Sequence, residues 1–139
     1  MKNLLVVTAW LEAVTGMALL VSPGFPVLLL VGAALDTTAG RLVARVAGAA
    51  LFALGLACWL ARNDARSRAA RGLVGAMSLY DLAAVTLLVH ARLASKLSAT
   101  GLWPAVLLHF GLAVWCIACL RPVSPSSGER TQPEGPFQH

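Results

Sequence analysis

The sequence predicts an all-α fold, a transmembrane four-helix bundle with a short interfacial or re-entrant helix between helices one and two. Three observations lead there. The 139-residue chain holds four apolar stretches, and crossing a hydrocarbon core of about 30 Å takes about 20 apolar residues per helix. Hydrophobic residues make up 58% of the chain and charged residues 12%, with a mean hydropathy of +0.77, whereas a soluble domain carries about 25% charged residues. The basic residues fall at the ends of the apolar stretches and cluster from Arg62 to Arg71, where phospholipid head groups would meet them. The net charge of +5 does not point to nucleic acid, because aromatics are 6% and no basic face carries stacking side chains.

The first span covers residues 4–21 and stops at Ser22, Pro23, Gly24 and Pro26, a cluster that cannot continue a helix. Lys2 ahead of an apolar run also fits a signal peptide. Against cleavage, Glu12 sits inside the apolar region and no small-x-small site precedes the prolines; the span is expected to be retained. Residues 27–35 are apolar but too short to cross at about 1.5 Å per residue, so they are assigned to the short helix, ending near Asp36.

The second span covers 42–61, bracketed by Arg41, Arg45 and Arg62, with Arg45 and Arg62 expected to snorkel. The third covers 72–91 and contains Asp81. The fourth, 102–120, is uncharged and ends at Arg121 and Pro122. Residues 1–121 thus form the membrane domain, and 122–139, rich in Ser, Pro, Gly and Gln, are expected to be a disordered tail.

Four spans place Lys2, Arg62, Arg66, Arg68, Arg71 and Arg121 on one side and Arg41, Arg45, Arg92 and Lys96 on the other. The excess orients both termini toward the cytoplasm of a bacterial-type inner membrane. Trp59 and Trp103 fit the two aromatic belts, while Trp10 and Trp115 pack or contact lipid. Ala49, Ala53, Ala57 and Ala61 recur every four residues, beside a parallel ridge begun by Ala44 and Gly48. Gly72, Gly75 and Ala76 offer a similar surface at the start of span three. Such ridges let a second helix approach closely, within the bundle, in a homo-oligomer or against a partner subunit.

The candidate site is a set of polar residues at one depth: Glu12, Tyr80, Asp81 and His109, each near the middle of its span. A charge at the bilayer centre costs at least about 2.5 to 3.5 kcal/mol, so such residues face inward and pair or protonate. They can form a hydrogen-bond network that fixes helix register, a polar pocket for a small amphipathic, quinone-like or cationic ligand, or a proton or ion path. A transporter would be expected to show broken helices or inverted repeats at its site, and apart from the Pro23 and Pro26 region none is evident.

Cys116 and Cys119 form a C-x-x-C at the end of span four, with Cys58 near the end of span two. This feature is similar to the membrane helix of quinone-linked thiol oxidoreductases of the vitamin K epoxide reductase type. Those enzymes need a second cysteine pair, and only Cys58 remains here. The pair therefore gives the competing reading, a quinone-linked thiol or sulfur oxidoreductase, beside the simpler one in which cysteine fills the core. A zinc site from the three cysteines lacks a fourth ligand. Roughly 10 Å of separation along the membrane normal argues against haem between His90 and His109, which leaves His90 at the interface.

Glu12 followed by Gly16, the exit at Pro23, the run from Leu28 to Gly32, and Arg45 with Gly48 opening helix two together resemble the small four-helix membrane proteins of the DoxX-like group. The likeness covers residues 1 to about 121 and implies the four-helix architecture. That group is functionally mixed, with some members linked to quinone-dependent thiosulfate oxidation. It makes quinone a cofactor to consider and carries no catalytic residue across. The leading expectation is a non-enzymatic membrane protein that binds a small amphipathic ligand or supports a membrane complex.

Overall fold

The computed structural model describes residues 1–95 and 99–121. The expected tail, 122–139, and Lys96 lie outside the described residues. The elements are α1 (Lys2–Val21), α2 (Gly24–Val31), α3 (Thr38–Ala61), α4 (Arg68–Ser95) and α5 (Leu102–Leu120), with no strand among the described residues. The four longer helices are long and apolar enough to cross a membrane.

Helix boundaries follow from local capping chemistry. Ser22 turns α1 off, and Pro23 then serves as N-cap of α2, with Pro26 in its first turn. Proline is tolerated there because first-turn N–H groups have no intrahelical partner anyway. The short helix therefore begins at Gly24, three residues before the expected 27. It ends at Val31 because Gly32 adopts a left-handed conformation (φ 76°) and donates its N–H to Leu28 O. Thr37 caps α3 by accepting from Gly40 N–H at 3.1 Å, which starts that helix at Thr38 rather than 42. Ser67 does the same for α4 through Ala70 N–H at 3.1 Å, drawing Arg68 and Arg71 into the helix. Arg121 leaves α5 in an extended conformation (ψ 134°), as a residue before proline must.

Two antiparallel pairs build the bundle. In the first, α1 lies directly on α3: Gly16 faces Gly48 and the Phe52 backbone, and Ala9 and Ala13 face Gly55. The close approach uses the glycine ridge, whereas Ala49 and Ala53 stay exposed, so the alanine repeat is not where α1 docks. Gly72 and Gly75 likewise face open space. In the second pair α4 packs along α5. The pairs meet through Leu4, Leu5, Ala9, Cys58, Val74, Met77, Leu112 and Cys116.

One end of the bundle gathers the starts of α1 and α4 and the ends of α3 and α5. Arg71 Nη2 donates to Leu120 O at 3.2 Å, and Met1, Ala61, Ala65 and Leu120 pack on the same core. At the other end Gly101 N–H donates to Leu29 O at 3.0 Å, tying α2 to the start of α5. The outer surface is apolar, with Leu60, Leu79, Leu87 and Phe110 mostly exposed, while Thr8, Glu12 and Asp81 are buried. A water-soluble domain has the opposite arrangement.

Candidate functional site

Each site residue is carried inward by the stripe that forms the core. On α1 the buried positions are Leu4, Leu5, Thr8, Ala9, Glu12 and Gly16, a repeat of about one turn that leaves Glu12 only 4% exposed. On α4, Ala70, Val74 and Met77 lead to Asp81, which is fully buried. On α5, Leu102, Val106, Ala113 and Cys116 are buried, and His109 lies on the same line. Helix periodicity thus forces three ionisable groups into an apolar interior.

His109 Nδ1 lies 2.8 Å from Asp81 Oδ1, a hydrogen bond between the imidazole ring and the carboxyl group. The Tyr80 ring meets the His109 ring edge to face, with centroids 5.6 Å apart at 81°. Glu12 is buried on the stripe of α1 that faces the bundle interior. Of the expected four residues, Tyr80, Asp81 and His109 are in direct contact, and Glu12 is buried in the same bundle. The His109 side chain keeps 19% of its surface exposed, which opens one edge of the cluster to the bundle surface.

Asp81 Oδ2 is buried and has no hydrogen-bond partner. Buried polar atoms are nearly always paired, and each exception calls for a physical explanation. An oxygen in this setting has the capacity to accept one further hydrogen bond. Among the described residues no group of three His, Cys, Asp or Glu side chains is placed to hold a metal ion.

Thr8 is a polar member of the buried α1 stripe that the sequence reading passed over. The signal was its position one helical turn before Glu12. His90 is exposed on α4, away from the cluster.

The three cysteines are unbridged: Cys58 and Cys116 lie in the central core and Cys119 at its rim, half-buried. The C-x-x-C thus places one cysteine in the core and the other, half-buried, against its edge. Thiol reactivity requires access, so a maleimide applied to the folded protein should modify a single cysteine. Mass spectrometry of the labelled chain should show the adduct lost in Cys119→Ser and retained in Cys58→Ser; double labelling of the native fold would contradict this packing.

Comparison with protein-family models, curated proteins and solved structures finds no match for this chain.

Proposed function

We propose that this chain is an integral membrane protein without catalytic activity of its own, which holds a small amphipathic ligand at the cluster of Glu12, Tyr80, Asp81 and His109. The observation that carries this reading is Asp81 Oδ2, buried and unpartnered beside a paired histidine. A ligand that completes the site supplies one donor, a hydroxyl or protonated amine, on an otherwise apolar body. A quinol head has that chemistry, as does a small lipid-like alcohol or a cationic amine. The exposed edge of His109 gives such a molecule a route in from the hydrocarbon phase.

The membrane placement is supported by the apolar outer surface and the four membrane-length helices. Both termini are proposed to lie in the cytoplasm of a bacterial-type inner membrane, because the end holding Lys2, Arg62, Arg66, Arg68, Arg71 and Arg121 is the more basic. The short α2 is then interfacial on the far side. Kinship with the DoxX-like group is part of this proposal, carried by Glu12, Gly16, Pro23, Arg45 and Gly48. The exposed Ala49 and Ala53 face leaves room for a partner subunit or a second copy.

Native mass spectrometry of gently extracted protein, with lipid and quinone extraction of the same sample, tests the ligand. In Asp81→Asn the carbonyl oxygen still accepts from His109, while the amide replaces the free acceptor with a donor. A charged hydrogen bond contributes roughly 1.5 to 3 kcal/mol, so the variant should retain about 10- to 100-fold less ligand. A wild-type chain carrying no molecule, or equal retention in Asp81→Asn, would sink the reading.

A further inference from the structure

A second site lies outside the polar cluster. Between α1 and α3 runs an open apolar groove of about 260 Å³. Its floor exists because Gly55 has no side chain: a Cβ there would stand 2.8 Å from Ala13 N and 2.9 Å from Ala9 O. Its walls are Phe52, Trp10 and Trp59, the two indoles meeting edge to face at 6.3 Å between centroids. From Phe52 to Trp59 the groove follows α3 for about 10 Å, from mid-helix to the basic end of the bundle.

Arg62 closes that end. Its guanidinium carbon sits 3.9 Å from the Trp59 ring centroid, and its Nη1 donates to the Trp59 carbonyl. Stacking and one hydrogen bond fix the cation in place, and its other N–H groups have no hydrogen-bond partner among the described residues. Arg66 and Arg68 are exposed nearby, against the single acid Asp64. A narrow hydrocarbon slot thus ends at an immobilised positive charge.

We propose that this groove binds one anionic phospholipid, with an acyl chain against Trp10, Phe52 and Trp59 and the phosphate on the Arg62 guanidinium. The charge at the mouth selects the head group, because a guanidinium meets a phosphate through paired N–H donors. A groove of this size, below the usual range for compact ligands, takes a single chain rather than a ring system or a helix. The proposal rests on the membrane placement above and is independent of the ligand at Asp81.

The full chain carrying Trp103→Phe and Trp115→Phe reports only from Trp10 and Trp59. It is reconstituted in phosphatidylcholine vesicles containing phosphatidylglycerol, with bromine placed mid-chain on one lipid or the other at equal mole fraction. Brominated phosphatidylglycerol should quench the tryptophans roughly fivefold more effectively, the enrichment expected of one surface arginine. Arg62→Gln should bring the two lipids level, and Asp81→Asn should leave the preference intact. Equal quenching in the parent chain, a preference that survives Arg62→Gln, or a second copy seated in the groove would overturn the proposal. If Arg62→Gln does not fold, native mass spectrometry of the parent chain decides, since a retained phosphatidylglycerol is required and a phosphatidylcholine adduct in its place refutes the site. Failure of the protein to float with the vesicles would instead refute the membrane placement.

Discussion

Gly16→Ala should destabilise the protein by about 3 kcal/mol, the upper part of the usual range for overpacking. An added Cβ would stand 2.5 Å from Phe52 N and 2.6 Å from Gly48 O. Both atoms belong to the backbone of α3, so no side-chain rotation relieves the overlap and the helices must move apart. The reciprocal change meets the same wall: a Cβ on Gly48 lies 2.7 Å from Gly16 O and 2.9 Å from Leu20 N. Separation there also lifts Ala9 and Ala13 from Gly55, because all these contacts lie along one antiparallel seam. Gly72→Ala and Gly75→Ala are the matched controls. Nothing lies within 4 Å of either new methyl, and exchanging glycine for alanine in a helix gains up to about 1 kcal/mol. Unfolding of the purified protein in increasing dodecyl sulfate, followed by circular dichroism, should show an early midpoint for the two seam variants and an unchanged or later one for the controls. A neutral Gly16→Ala would mean that α1 and α3 do not touch as described.

The same seam shows what could and could not be read from the chain. Small residues on span two were evident, but both Gly48 and the alanine repeat qualified, and size says nothing about the rotation of a helix about its axis. Rotation is set by the partner: Gly16 on α1 receives Gly48, and Ala49 and Ala53 are left outside. The four long helices were legible because a run of apolar residues interrupted by Arg and Pro has few alternatives. Their ends were less so. Thr37 and Ser67 extend α3 and α4 by side-chain caps, and Pro23 with Pro26, which end one helix, open the next.

The polar cluster was legible for a related reason. Glu12, Asp81 and His109 stand out as ionisable groups near the middle of otherwise apolar spans, and burying them near one another limits the cost of taking each from water. Which pair bonds directly was not legible. The Asp81–His109 contact and the unpartnered Asp81 oxygen depend on the register of α4 against α5, and no single-chain pattern encodes that register. Thr8 escaped notice because a threonine in an apolar run is unremarkable until its stripe is known.

His109→Ala should be among the most damaging single changes outside the glycine seam. It strips Asp81 of its only hydrogen-bond partner among the described residues and leaves a fully buried carboxyl group unmatched. Leaving a buried polar group without its partner costs about 1 to 3 kcal/mol, and more if it is charged, because the interior cannot solvate it. Removing both is a different matter. In Asp81→Leu with His109→Phe no buried polar atom of the pair is left and the volume is roughly kept, so the double variant should recover most of the loss and approach the parent chain. The expected signature is non-additivity: the losses in Asp81→Leu alone and His109→Phe alone sum to more than the double variant shows, by at least about 1 to 3 kcal/mol. Unfolding midpoints in dodecyl sulfate of the parent chain, Asp81→Leu, His109→Phe and the double variant measure it. Additive effects would mean that Asp81 and His109 act separately, which the 2.8 Å contact forbids. A double variant as stable as the parent would also separate stability from use. The fold would then need only a filled interior at this point, and the pair, with its unpartnered oxygen, would be there for what enters the site.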